Sequence, residues 1–135
     1  MTSGPDGPVA RVELRGERDI AAARLAVTRA MNGMGARTLI RVRFVTAVSE
    51  IARNAIMHGK GGELTVHVSA DAREIRVCCI DSGPGIEDID RALQDGFSTA
   101  RSLGKGLGGA RRLVDRFDIA SAPGAGTRIE MTSRL

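Results

Sequence analysis

Aromatic residues are nearly missing: tryptophan and tyrosine are absent, and Phe44, Phe97 and Phe117 are the whole set. A surface that stacks on exposed bases needs more π-faces than that, and the basic residues are scattered, so nucleic acid is not an expected partner. Lysine is also scarce. Lys60 and Lys105 are the only two among 20 basic residues, set against 16 acidic ones for a net charge of +4, so arginine supplies the charge that invites acidic partners. Histidine is limited to His58 and His67, which excludes a histidine-rich zinc site, and His67 alternates out of an apolar strand as a surface residue. The two cysteines, Cys78 and Cys79, are adjacent, so on a strand they point to opposite faces and do not bridge. They read as buried thiols of a reducing compartment. No segment approaches the roughly 20 apolar residues that cross a bilayer. The start, MTSGPDGP, has neither the basic nor the apolar region of a signal, so a cytoplasmic protein without a membrane partner is expected.

What is present suits one compact unit. The 135 residues are 42% hydrophobic and 27% charged, ordinary globular composition, with length enough to bury about two-thirds of the unfolded surface. The chain is too short for two ordinary kinase lobes or for a barrel of about 250 residues. Gly4, Pro5, Gly7 and Pro8 mark residues 1–8 as a flexible tail, and 9–135 as a single domain. A strand is predicted over Val9 to Leu14. Ile20, Ala23, Val27, Ala30 or Met31, and Met34 recur at helical spacing from Asp19 onward, in a helix ended by Gly33 and Gly35. A second helix is predicted from about Thr38 to His58, on Ile40, Phe44, Ala47 or Val48, Ile51 and Ala55, with Gly59 as its C-cap. Leu64, Val66 and Val68, then Ile75, Val77 and Cys79, alternate as a hairpin turning near Asp71, and Val77 to Ile80 suggests a central strand. A short helix near Ile86 to Leu93, a loop over Gly96 to Leu103, and a helix from Gly106 that uses Leu107, Ala110, Val114 and Phe117 follow. Asp118 to Ser121, the turn APGAG, and Thr127, Ile129 and Met131 close the chain as a hairpin. The fold class is therefore α/β (α+β), a two-layer sandwich whose mostly antiparallel mixed sheet is covered on one face by helices.

Three motifs carry chemistry. Glu50, Asn54 and His58 lie four apart on the second helix, as one polar line. A carboxylate there can take a proton or orient a hydroxyl, and a carboxamide oxygen one turn on can hold a hard cation; a solvated helix face, with His58 as a capping residue, is the plain alternative. Asp81-Ser82-Gly83-Pro84-Gly85 follows the apolar strand, where a carboxylate can accept from a purine amino group and glycines let a base lie against backbone; an ordinary turn uses the same residues. Gly104-Lys105-Gly106-Leu107-Gly108-Gly109 opens a helix, where amides and the helix dipole attract phosphate and Lys105 adds charge. The string follows a polar loop rather than a strand, and no Ser or Thr stands after Lys105. Neither a dinucleotide fingerprint nor a Walker A loop fits.

In this order, ending with Gly126-Thr127 at the start of the final strand, the motifs resemble the ATP-binding fold shared by gyrase-type topoisomerases, histidine kinases and MutL, the Bergerat fold. At this length the chain is similar to the small serine kinases of sigma-factor regulation. Through SEIARNAIMHGKG, DSGPGI, DGFST and GKGLGGARRLVDRFDI it resembles the stressosome switch kinases of the RsbT family. The resemblance implies that Glu50 orients or deprotonates an acceptor serine and that Asn54 holds Mg²⁺ bridging the phosphates of ATP. It implies further that Asp81 reads the adenine amino group, with Gly83 and Gly85 lining the nucleotide and Thr127 supporting the adenine end through its hydroxyl and bound water. Gly104, Lys105, Gly106, Leu107 and Gly108 would wrap the phosphates under a lid that includes Phe97, Ser98, Thr99 and Arg101. Arg53 and Arg101 would pair with phosphate or a docked protein. Gly108 stands where the family often carries proline, a change that removes no N–H. The resemblance implies a protein serine/threonine kinase acting on STAS-domain substrates, of antagonist and stressosome scaffold type, and activating a PP2C-type phosphatase by partner switching. Two alternatives are an anti-sigma factor kinase that holds a sigma factor directly, and a non-catalytic module gated by ATP.

Overall fold

The computed structural model describes residues 7–86, 89–93 and 106–135. Strand β1 (Ala10–Leu14) leads into helices α1 (Arg18–Gly33) and α2 (Thr38–Met57), then strands β2 (Gly62–Val68) and β3 (Glu74–Asp81). Helices α3 (Ile89–Ala92) and α4 (Gly106–Arg112) precede strands β4 (Arg116–Ser121) and β5 (Thr127–Arg134).

The strands form one sheet in the order β1-β2-β3-β5-β4, with β3 at the centre as its apolar run predicts. Every adjacent pair is antiparallel. The described strands therefore form an antiparallel sheet throughout, without the parallel pairing that a mixed sheet implies. Alternate residues face α1, α2 and α4, and there the core forms from Phe44, Met31, Ile51, Leu64, Val77 and Met131, each 0% exposed. Each such side chain contributes about 1.5–3 kcal/mol relative to exposure.

The opposite sheet face has no helix among the described residues and is covered by charged side chains. Arg76 and Arg128 both reach Glu130, at 2.8 and 3.4 Å, and Arg11 reaches Glu63 at 2.8 Å. Cys78 lies in register with Glu130 on this side, while Cys79 points into the core, so the two free thiols are divided by the sheet as the alternation requires. Burial pushes the Cys79 thiol up to about 12. His67 is half-buried among these charges rather than simply exposed; desolvation, then Arg76, holds its imidazole below the ordinary value.

Two boundaries differ from the sequence reading. Helix α4 stops at Arg112, and Phe117 belongs to β4. The amide of Asp115 bonds the Thr132 carbonyl at 3.1 Å, and its carboxylate accepts the Arg134 N–H at 2.7 Å, so strand pairing captures this stretch before a further helical turn forms. The end of α2 also departs from a glycine cap at Gly59. His58 is the cap residue, and the left-handed conformations fall on Lys60 (φ 60°) and Gly61 (φ 93°), whose N–H returns to the Ala55 carbonyl at 2.8 Å.

Candidate nucleotide site

Helix α2 changes character along its length. Its apolar stripe seats it on the sheet through Phe44, Val48 and Ile51, and this carries Glu50 into the interior, where it is 4% exposed. The polar line predicted on this helix is therefore graded: Glu50 is buried, Asn54 half-buried and His58 exposed. A buried carboxylate needs a compensating partner, and Arg53 Nη1 stands 3.3 Å from Glu50 Oε2. The Asn54 carboxamide has no hydrogen-bond partner among the described residues. Its backbone carbonyl instead accepts the amides of His58 at 2.9 Å and Gly59 at 3.2 Å, which ties the end of the helix to the turn that follows.

That turn meets the end of β3. Gly59 packs so closely on Asp81 that a Cβ there would overlap the carboxyl carbon, and a Cβ on Gly83 would stand 2.5 Å from the Gly59 Cα. The glycine after α2 is thus required by close approach to Asp81, not by a left-handed cap. Asp81 is 8% exposed, and its Oδ1 accepts the Gly83 N–H at 3.0 Å. Desolvation raises its carboxyl above the ordinary carboxylate value, opposed by hydrogen bonds from the backbone of Gly83 and Thr127.

Strand register extends the site sideways. Gly62, Asp81, Thr127 and Ser121 are successive cross-strand partners, so their Cβ positions share the helix-covered side of the sheet. Thr127 is 5% exposed, and its hydroxyl meets Ser121 Oγ at 2.8 Å. The segment after Asp81 is clamped on the β4–β5 turn: Gly124 N–H donates to the Pro84 carbonyl at 2.6 Å, and Ile86 N–H donates to Ser121 Oγ at 2.8 Å. Gly85 (φ +82°) lies where a Cβ would run into the Ala122 carbonyl. A depression of about 440 Å³ also reaches Asp81 and Thr127, but Ile80, Ala120 and Arg128 place it on the uncovered side of the sheet, behind the polar row.

The structure therefore brings Asp81, Gly83, Gly85 and Thr127 together at one end of the sheet, with Glu50 and Asn54 on the helix above. Gly106 (φ +74°) and Gly108 lie at the start of α4, and the Leu107 side chain packs in the core, leaving only its backbone for a phosphate. Phe97, Ser98, Thr99, Arg101, Gly104 and Lys105 lie outside the described residues. Gly59 and Ser121 belong to the site but escape a motif reading. The cluster HGKGG signals the first only once the contact of the α2 end with Asp81 is known, and the second emerges only from register.

This arrangement suits a nucleotide on three counts: a carboxylate buried beside a hydroxyl, glycine backbone around it, and a carboxamide without a partner among the described residues one turn from a buried acid. Comparison with known proteins agrees. The profile of the histidine kinase-, DNA gyrase B- and HSP90-like ATPases matches residues 40–135. The chain is 38% identical over 121 residues to the serine/threonine-protein kinase RsbT of Bacillus subtilis, across 88% of this chain and 91% of that one. It is 38% identical over 96 residues to the anti-sigma F factor of a Thermoanaerobacter species, with 67% of each chain covered. Among solved structures, the RsbU and RsbW domains of a Mycobacterium tuberculosis protein superpose with a TM-score of 0.65 at 22% identity, covering 95% of this chain and 33% of that longer one. The catalytic domain of the histidine kinase ThkA gives 0.51 at 15% identity, over 93% and 97% of the two chains, and both likenesses are of fold. The chain belongs to the histidine kinase-, DNA gyrase B- and HSP90-like ATPase family, among its RsbT-like kinases and anti-sigma factors.

Proposed function

We propose that the chain is a Mg²⁺-ATP-dependent protein serine/threonine kinase of a partner-switching circuit, cytoplasmic, with STAS-domain proteins as substrates and a PP2C-type phosphatase as the partner it activates. The observation that carries the catalytic half is the buried Glu50 carboxylate, held beside Arg53 one helical turn before the Asn54 carboxamide, which has no hydrogen-bond partner among the described residues. A solvated helix face has no reason to bury an acid there.

Mg²⁺-ATP, when bound, supplies the γ-phosphoryl group that passes to the substrate hydroxyl. Glu50 orients that hydroxyl and accepts its proton as the new oxygen–phosphorus bond forms and the bond to the ADP oxygen breaks. Arg53 keeps the Glu50 side chain in place. The Asn54 oxygen is the ligand for Mg²⁺, a hard cation suited to a carboxamide oxygen. Asp81 accepts a hydrogen bond from the adenine amino group, Thr127 supports the same end, and Gly83 and Gly85 give the base backbone to lie against. Arg101, Gly104 and Lys105, with the amides of Gly106, Leu107 and Gly108, serve the phosphates.

The likeness to anti-sigma F factors supports a second reading, in which the released partner is a sigma factor. Phosphate transfer from labelled ATP to STAS proteins encoded near this gene, compared between the native chain and Glu50→Ala, tests the kinase. Transfer that drops at least about a hundredfold in the variant while ATP binding persists is expected. Absence of transfer from native protein that binds ATP contradicts it and leaves an ATP-gated binding module. Pulldown of a phosphatase or of a sigma factor separates the two partner readings.

A further inference from the structure

The hydroxyl pair in the polar row has a closed hydrogen count. A serine hydroxyl has one hydrogen and two lone pairs. Among the described residues Ser121 Oγ makes three contacts: it receives the Ile86 N–H at 2.8 Å, it reaches the Gly126 carbonyl at 2.9 Å, and it meets Thr127 Oγ1 at 2.8 Å. The amide can only donate, so it takes one lone pair. The carbonyl can only accept, so it takes the single hydrogen. What remains on Ser121 for Thr127 is a lone pair, and the threonine must donate its own hydrogen to it. Thr127 is thereby left with lone pairs alone for anything else it meets. Asp81, directly across β3–β5 from Thr127, offers acceptors as well when ionised.

We propose that Ser121 is a specificity-determining positioning residue: by consuming the Thr127 hydrogen it fixes the Asp81–Thr127 pair as an acceptor-only reader, which takes a purine with a donor at its 6-position and turns away a 6-oxo purine. The inference rests on the nucleotide reading of this row and deepens it, because it assigns the polarity of the base recognised to a residue on β4 that need not touch the base. A 6-amino group in direct contact satisfies acceptors. A 6-carbonyl in the same place leaves buried acceptors facing another acceptor, and unpaired buried polar groups are what make such sites selective. With Ser121 removed, the Thr127 hydroxyl can turn and donate, so the penalty against the carbonyl falls at that position while Asp81 keeps its share.

The test is isothermal titration of Mg²⁺-ATP and of Mg²⁺-ITP, which carries an oxo group in place of the 6-amino group, on the native chain, Ser121→Ala, Ser121→Thr, Thr127→Val and the double variant Ser121→Ala/Thr127→Val. The native chain is expected to prefer ATP, Ser121→Ala to lower the ATP-to-ITP affinity ratio about tenfold, and Ser121→Thr, which keeps the hydroxyl, to restore it. In the Thr127→Val background, Ser121→Ala is expected to leave the ratio unchanged, since no hydroxyl remains to turn. A merely structural Ser121 weakens both nucleotides by the same factor, and that result overturns the proposal, as does a native chain without preference. Asp81→Asn, titrated with ATP alongside, separates the levels: native binding that is insensitive to Asp81 contradicts the nucleotide reading itself, whereas sensitivity to Asp81 with an unmoved ratio in Ser121→Ala sinks only the role of Ser121.

Discussion

Two neighbouring rows on the same face of the sheet have opposite chemistry. Leu64, Cys79, Ile129 and Ile119 are cross-strand partners in one row; two residues along each strand, Gly62, Asp81, Thr127 and Ser121 form the next. In the first row Leu64, Cys79 and Ile129 are at most 3% exposed and wholly apolar to their contacts in the core. In the second, Asp81 and Thr127 are nearly as well buried, at 8% and 5%, yet every side chain present is polar. The backbone is the same antiparallel ladder throughout. The difference therefore lies in what each row is for: the first holds the sheet to the helices, and the second keeps acceptors dry beside glycine backbone at the cost of burying a carboxylate.

The sharpest way to break the pair apart is to damage the apolar row alone. Ile129→Ala removes a fully packed side chain and is expected to lower unfolding stability by about 2–5 kcal/mol in chemical denaturation. Nucleotide affinity per folded molecule should be unchanged, because Ile129 is not in the polar row.

A smaller loss of stability is expected where the rows are joined to α2. Gly59→Ala places a methyl group on the Asp81 carboxyl and should destabilise by about 1–3 kcal/mol, typical of overpacking. Unlike Ile129→Ala, it should also weaken ATP binding, since Asp81 has to move. Loss of stability with intact binding would return Gly59 to the role of a plain helix terminator.

The smallest effect is a slope with pH. Burial raises the Asp81 carboxyl above 3.8 in the folded chain, so between that value and the raised one the folded state binds more protons than the unfolded state. This residue's contribution to stability without nucleotide consequently falls as pH rises through that window. Asp81→Asn should remove that component and leave the rest of the pH profile in place, as read by urea denaturation across the acid range.

Much of this arrangement is legible in the residues. Ile20 to Met31 and Phe44 to Ala55 have the helical period, and Leu64 to Val68 and Ile75 to Cys79 have the period of two, so the elements that carry the apolar row follow from pattern alone. Asp81 stands out because it sits among glycines at a strand end, and Thr127 through the resemblance that Gly126-Thr127 completes. Phe117 does not, since Leu107, Ala110, Val114 and Phe117 also suit a helix until pairing of Arg116 with Thr132 decides between them. Glu50 looks like a surface residue because the i, i+4 spacing with Asn54 and His58 says nothing of how α2 tilts toward the sheet. Gly59 and Ser121 act through partners more than 20 positions away or across a turn, and local sequence does not register either contact.

Titrating Mg²⁺-ATP into Asp81→Asn and Ile129→Ala, with urea unfolding of both beside the native chain, tests whether one row stabilises while the next recognises nucleotide. The predicted result is a crossed loss: Asp81→Asn binds ATP at least about a hundredfold more weakly yet unfolds no more easily, and Ile129→Ala unfolds more easily yet binds ATP as before. Native-like ATP affinity in Asp81→Asn, or a loss of stability there as large as that of Ile129→Ala, would contradict the account.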